Sequence, residues 1–165
     1  MLPLCPLLGC AEAAPAPVAD AAAPPVDVAV TGPARLELGA GTTRFEALTE
    51  GGTIELVLGP QGGWHVDLTA RGVNLLPDGL TLRYEVRDDA RPTAWNFPVA
   101  AALNARRVVA EGKGWARVGD RAVFDIRAGA EVTGRSVRIT VRAERAGAVV
   151  AEDSRAVRVV DEARP

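Results

Sequence analysis

Apolar and polar residues alternate strictly in several segments of this chain. In Trp64–Arg71, the residues Trp64, Val66, Leu68 and Ala70 fall on one face of an extended chain, and His65, Asp67, Thr69 and Arg71 fall on the other. Leu80–Arg87 and Val137–Glu144 follow the same pattern. A period of two indicates β-strands with one buried and one solvated face.

Turn-forming residues separate these and shorter apolar runs. They are Gly51-Gly52, Gly59-Pro60-Gln61-Gly62-Gly63, Pro77-Asp78-Gly79, Gly112-Lys113-Gly114 and Ala146-Gly147. Seven to nine short strands of this kind predict an all-β domain over residues 34–162, built as an antiparallel two-sheet sandwich of the immunoglobulin or fibronectin III type. Residues 100–110 have helical propensity, but we interpret them as strand, because a sandwich needs one there. Trp64 is a candidate core tryptophan.

The segment before this domain has a different composition. Residues 10–33 are rich in Ala and Pro and contain no Lys, Arg or aromatic residue. Such a segment buries too little apolar surface to offset its ordering entropy, so we expect a disordered, extended tether.

The first ten residues end in Leu7-Leu8-Gly9-Cys10, which resembles the lipobox of bacterial lipoproteins. The resemblance implies a signal peptide over residues 1–9, cleavage before Cys10 and a diacylglycerol on the Cys10 sulfur. Cys5 would belong to the removed leader. Residues 1–9 lack the basic start and long apolar run of a full signal peptide, so we expect translation to begin upstream of Met1.

A second resemblance lies inside the domain. Phe45-Glu46-Ala47-Leu48, Gly51-Gly52 and Gly59–Val66, with its Gln-Gly-Gly-x-His core, are similar to a segment of uncharacterised secreted lipoproteins of GC-rich bacteria. Both resemblances imply the bacterial cell envelope as the location, with a lipid anchor in a membrane and the outer membrane favoured over the inner. The bilayer, reached through Cys10, is the expected partner, with an envelope protein or glycan as a further candidate.

Charge and cysteine content exclude several functional classes. Three of the 21 acids lie in the tether, which leaves 19 bases against 18 acids, without any block of like charge. Nucleic acid is therefore not an expected partner. The two cysteines, Cys5 and Cys10, both precede the domain, so a disulfide framework or thiol chemistry within it is excluded. We expect no cofactor.

Two short segments are candidate ligand sites. His65 follows the glycine-rich turn with Gln61 and shares a strand face with Asp67. This pair could bind a ligand or contribute to a metal site, although one histidine is too few for a usual zinc site, and we expect no metal. The alternative is a structural role in the turn. Trp95 and Phe97 could form an aromatic binding patch, or could cap one end of the core.

Catalysis has weak support in the sequence. Neither Ser136 nor Ser154 lies in a Gly-x-Ser-x-Gly setting, and the adjacent acids Glu152 and Asp153 would face opposite sides of a strand. The leading hypothesis is therefore a membrane-anchored, non-enzymatic binding or structural module. The alternative is a periplasmic small-molecule or metal-binding protein that uses His65 and Asp67, and a hydrolase with an unrecognised acid pair ranks third.

Overall fold

The computed structural model of the protein describes residues 30–161, and these form an all-β fold. The strands are β1 (Arg35–Ala40), β2 (Glu46–Ala47), β3 (Thr53–Leu58), β4 (Trp64–Val73), β5 (Leu80–Arg87), β6 (Val99–Ala102), β7 (Val109–Glu111), β8 (Gly114–Val123), β9 (Ser136–Arg145) and β10 (Ala148–Asp161). A single 3₁₀ turn, Gly129–Glu131, is the helical element of this part of the chain.

The prediction of an all-β fold is confirmed. The three alternating segments correspond to β4, β5 and β9. Residues 100–110, interpreted as strand, divide between the end of β6 and the start of β7, with a turn between them. No helix in the described range is long and apolar enough to cross a membrane.

The strands pair into one continuous mixed sheet rather than into antiparallel pairs throughout. The pairing order is β2-β1-β4-β3-β10-β9-β5-β6, and β8 with β7 lies along the other edge of β4. The first four residues of β3 run parallel to the end of β10, while its last two residues pair antiparallel with β4. This parallel pair corrects the prediction of antiparallel sheets. A parallel pair requires a long crossover connection, and β3 and β10 are joined through most of the domain and not by a hairpin.

The sheet curls into a half-barrel around one core. β1 and β10 are separated by two strands in the pairing order, yet they lie in contact. The buried Leu38 N–H of β1 donates a hydrogen bond of 2.8 Å to Asp153 Oδ2 of β10. The structure therefore joins the two predicted layers through β3 and does not separate them into two sheets.

The core is formed by the inward faces of the long strands. Its largest side chain without solvent exposure is Trp115 of β8. The indole packs over Gly72 of β4, where a Cβ atom would lie 2.3 Å from the ring, and its Nε1–H donates to the Leu75 carbonyl. Trp64, the tryptophan suggested for the core, is partly buried and packs at its margin against Gly129.

The chain enters the described region beside the loop after β4. The Thr31 N–H donates to Asn74 Oδ1 at 3.2 Å, and Asn74 Nδ2 donates to the Pro33 carbonyl. Cys10, Cys5 and most of the expected tether lie outside the described residues.

Candidate functional site

Two of the residues singled out in the sequence, Gln61 and His65, line one cavity of about 260 Å³. We call it the His65 pocket, and its lining residues are Gly59, Pro60, Gln61, Gly63, His65, Arg121 and Val123. The β3–β4 turn forms its rim. The Gly59 N–H donates to the Gly63 carbonyl at 2.8 Å, and Gly62, at φ 85°, takes a conformation that favours glycine.

The pocket lies on the outer face of the sheet, where one row of side chains crosses four segments. Val57 of β3 is paired with His65 of β4, and His65 is paired with Val123 of β8. The antiparallel bridge between Asn96 and Phe124 places Phe97 opposite Val123, and the Phe97 N–H donates to the Val123 carbonyl at 2.9 Å. Residues opposite each other in antiparallel pairs share a face, so Phe97 extends this row.

Charged side chains adjoin the row. Asp67 Oδ1 accepts a hydrogen bond of 3.1 Å from Arg121 Nε and lies 3.6 Å from His65 Nε2. The His65 side chain is 8% exposed and that of Arg121 is 58% exposed. His65 thus lines a pocket, and Asp67 lies beside His65 but is not among the residues that line that pocket.

Asp67 lines a separate cavity of about 270 Å³. Glu46 and Glu55 line it together with Asp67. Among residues 30–161, however, no group of three or more His, Cys, Asp or Glu side chains is placed to hold a metal ion. A metal site at His65 and Asp67 would therefore need further ligands from outside this region.

The predicted aromatic pair is divided between core and surface. Trp95 is 5% exposed and Phe97 is 51% exposed. Asn96 between them is buried: its Oδ1 accepts from the Val86 N–H at 2.7 Å, and its Nδ2 donates to the Tyr84 carbonyl at 3.1 Å. Trp95 and Asn96 are both buried and Phe97 is exposed, so this short segment does not follow the inside–outside alternation of a regular strand.

Trp95 caps the core rather than forming a binding patch with Phe97. Its ring lies within 4.8 Å of the Arg91 guanidinium and 5.4 Å of that of Arg135. These cation–π contacts cover the indole from solvent. Its Nε1–H is buried without a hydrogen-bond partner among the described residues.

One buried cluster of polar residues could not be recognised from the sequence. The Tyr84 hydroxyl donates to Asp120 Oδ2 at 2.9 Å, and Arg117 Nε donates to Asp120 Oδ1 at the same distance. Burial, followed by the Asp120 charge, raises the pKa of the Tyr84 phenol well above its ordinary value of 10.0. Gly119, at φ 76° beside the register shift of β8, is the sequence signal that marks this bulge.

The residues considered for catalysis do not converge. Ser154 Oγ lies 3.2 Å from Thr140 Oγ1 on the outer face of β9 and β10. Glu152 pairs with Arg142 on that face, whereas Asp153 bonds Leu38 on the inner side. The two acids therefore serve separate ion pairs.

Comparison with known proteins adds no relative. No protein-family model matches the chain. No curated protein matches it either.

Proposed function

We propose that this chain is a lipid-anchored, non-catalytic binding or structural module of the bacterial cell envelope. The observation that carries the proposal is the Leu7-Leu8-Gly9-Cys10 motif followed by an Ala/Pro segment that leads to a β-domain beginning at Arg35. Acyl chains on Cys10 would hold the domain at a membrane, and residues 11–33 would act as the spacer.

The charge near the chain entry supports a membrane-facing end. A cavity of about 630 Å³ lies beside Thr31, where the described chain begins, and the exposed cations Arg35 and Lys113 are among its lining residues. Each basic residue near an anionic bilayer surface adds roughly 1 kcal/mol of attraction. These two cations would therefore assist a lipid anchor.

We further propose that the half-barrel is a variant of the immunoglobulin-like sandwich. In this interpretation β1, β2, β4, β7 and β8 form one layer, and β5, β6, β9 and β10 form the other. The support is the position of β3, which pairs with both layers, and the Tyr84–Asp120 hydrogen bond, which links β5 to β8 across the core.

The test of the anchor uses the gene with its upstream sequence included. Cys10→Ala should move the protein from the membrane fraction to the water-soluble fraction and should abolish incorporation of labelled palmitate. The matched control is Cys5→Ala, which should leave both unchanged. Labelling that persists in Cys10→Ala would refute the assignment of the lipid site.

A second function, small-molecule binding at His65 and Asp67, is supported by a different observation. The His65 pocket is lined by the predicted residues Gln61 and His65 together with Arg121, which pairs with Asp67. A module of this kind would hold a ligand near the membrane surface. The chain has one histidine, so the carbon-bound ring protons of His65 give a unique NMR signal for ligand titrations.

A further inference from the structure

The imidazole of His65 lies in the wall of the cavity and makes no hydrogen bond to another described residue. Its side chain is 8% exposed, and its closest charged neighbour, Asp67 Oδ1, lies 3.6 Å from Nε2, which is beyond hydrogen-bond length. The described residues supply no other hydrogen bond to the ring. The ring borders the open cavity, so a polar group bound there can reach its nitrogens. A polar group of a ligand in the cavity would therefore have a hydrogen-bonding partner in His65.

The charge around the cavity favours an anion. Arg121 uses Nε for Asp67, and its two terminal Nη groups have no hydrogen bond within residues 30–161. No carboxylate is among the residues that line the cavity. Asp67, the nearest acid, already accepts from Arg121. The free side of a guanidinium presents two parallel N–H donors, which match the two oxygens of a carboxylate.

The walls of the cavity are apolar. Pro60 lies on the turn side and Val123 on the β8 side, and Phe97, half exposed, continues the wall beyond Val123. An exposed aromatic ring beside a concave surface contributes contact area to a ligand at low entropic cost. The ligand that fits both features has a charged end and an apolar body.

We propose that the His65 pocket binds a small carboxylate with an apolar or aromatic body, with the carboxylate on Arg121, a polar atom within reach of His65 and the body against Val123 and Phe97. The volume of about 260 Å³ accommodates roughly nine non-hydrogen atoms, at about 30 Å³ for each water-sized group. This inference rests on the second proposed function and is independent of the lipid on Cys10.

The test uses the full unmodified chain and two probes that differ only in charge. 3-Phenylpropionate should shift the His65 ring signals in a saturable manner. 3-Phenylpropanamide, which has the same shape without the charge, should bind at least about tenfold more weakly, because it loses the charge-assisted bonds. Equal binding of the two probes would overturn the carboxylate assignment and would leave an apolar pocket. No shift with either probe would overturn both this inference and the second proposed function.

Two variants and one further probe locate the interaction. Arg121→Gln should weaken 3-phenylpropionate binding about tenfold, whereas Arg71→Gln, which alters another ion-paired arginine on the same face, should leave it within about twofold. Equal losses in both variants would refute the role of Arg121.

A further probe distinguishes a free acid from the C-terminal end of a peptide as the source of the carboxylate. If N-acetyl-Gly-Phe binds more tightly than 3-phenylpropionate and its C-terminal amide does not bind, the result supports the carboxylate and assigns a peptide as its source. If N-acetyl-Gly-Phe binds more weakly, the result assigns a free acid.

Discussion

The contact that closes the half-barrel is open to a direct test. Asp153 of β10 accepts a hydrogen bond from the buried Leu38 N–H of β1, and it forms an ion pair with Arg155. Its side chain is 13% exposed and that of Arg155 is 31% exposed. An inward-facing carboxylate of this kind accepts a hydrogen bond from a strand edge whose N–H would otherwise be unpaired.

Asp153→Ala removes both interactions, together with a local hydrogen bond of 2.9 Å from the Ser154 N–H to Asp153 Oδ1. The magnitude follows from the Leu38 hydrogen bond and the ion pair. A buried backbone N–H left without an acceptor costs about 1–3 kcal/mol. The ion pair is partly solvated, so its loss adds only about 0–1 kcal/mol. We therefore expect the free energy of unfolding to fall by about 2–3 kcal/mol. Asp153→Asn keeps an oxygen for Leu38 and should lose about 1 kcal/mol, from the charge alone.

The assay is urea unfolding followed by tryptophan fluorescence. The slope of the unfolding free energy against urea concentration should stay unchanged, which indicates that the unfolded state is unaltered. The matched control is Glu152→Ala, one residue away, which removes an exposed pair with Arg142 on the opposite face. That variant should change stability by less than about 0.5 kcal/mol. If Asp153→Ala and Glu152→Ala were equally destabilising to within that margin, the closure described here would be wrong.

Three further predictions concern packing, pH and the last turn. Gly72→Ala places a methyl group 2.3 Å from the Trp115 ring, so it should lower stability by at least about 2 kcal/mol in urea unfolding, and a loss under about 1 kcal/mol would contradict the packing. The protein should lose stability as the pH rises above 10.0, because the raised pKa keeps the Tyr84 phenol protonated only in the folded state. The chain has one tyrosine, so tyrosinate absorbance follows this titration, and ordinary ionisation near pH 10.0 in the folded protein would refute it. Ala146→Asn should stabilise by about 0.5–1 kcal/mol in thermal unfolding, because Ala146 has φ 51°, and Gly147→Ala in the same turn should act in the opposite direction.

The sequence predicts the faces of the strands well, because side-chain alternation is a local property. His65 and Asp67 were expected to share a face of one strand, and both lie on the outer face of β4. The turn at Ala146-Gly147 is likewise present between β9 and β10. Glycine and alternation report the conformation of the residues that carry them, so these features could be inferred without knowledge of partners.

The pairing of strands that are distant in sequence could not be inferred in the same way. Nothing in the alternation of β3 indicates that it runs parallel to β10, about one hundred residues later. Arg121 reaches the His65 pocket for the same reason, since β8 pairs with β4 from more than fifty residues away. The candidate site was thus predictable as a turn with its histidine, but not as a pocket with a cation and an aromatic wall.

Trp115 shows an intermediate case. A glycine in the interior of a strand often marks a place where a large side chain packs closely, and Gly72 interrupts the alternation of β4 in this way. The sequence therefore indicates that something covers Gly72. That Trp115, and not Trp64, supplies the buried indole depends on the register of β4 with β8, which pairs Gly72 with Trp115.

The central claim is that the domain is held at a membrane by a lipid on Cys10. Mass spectrometry of the N-terminal peptide, taken from protein purified out of the membrane fraction of cells that express the native gene, tests it most directly. We expect a mature chain that begins at Cys10 and carries a diacylglycerol on its sulfur. A chain that retains residues 1–9 with an unmodified Cys10 would contradict the claim.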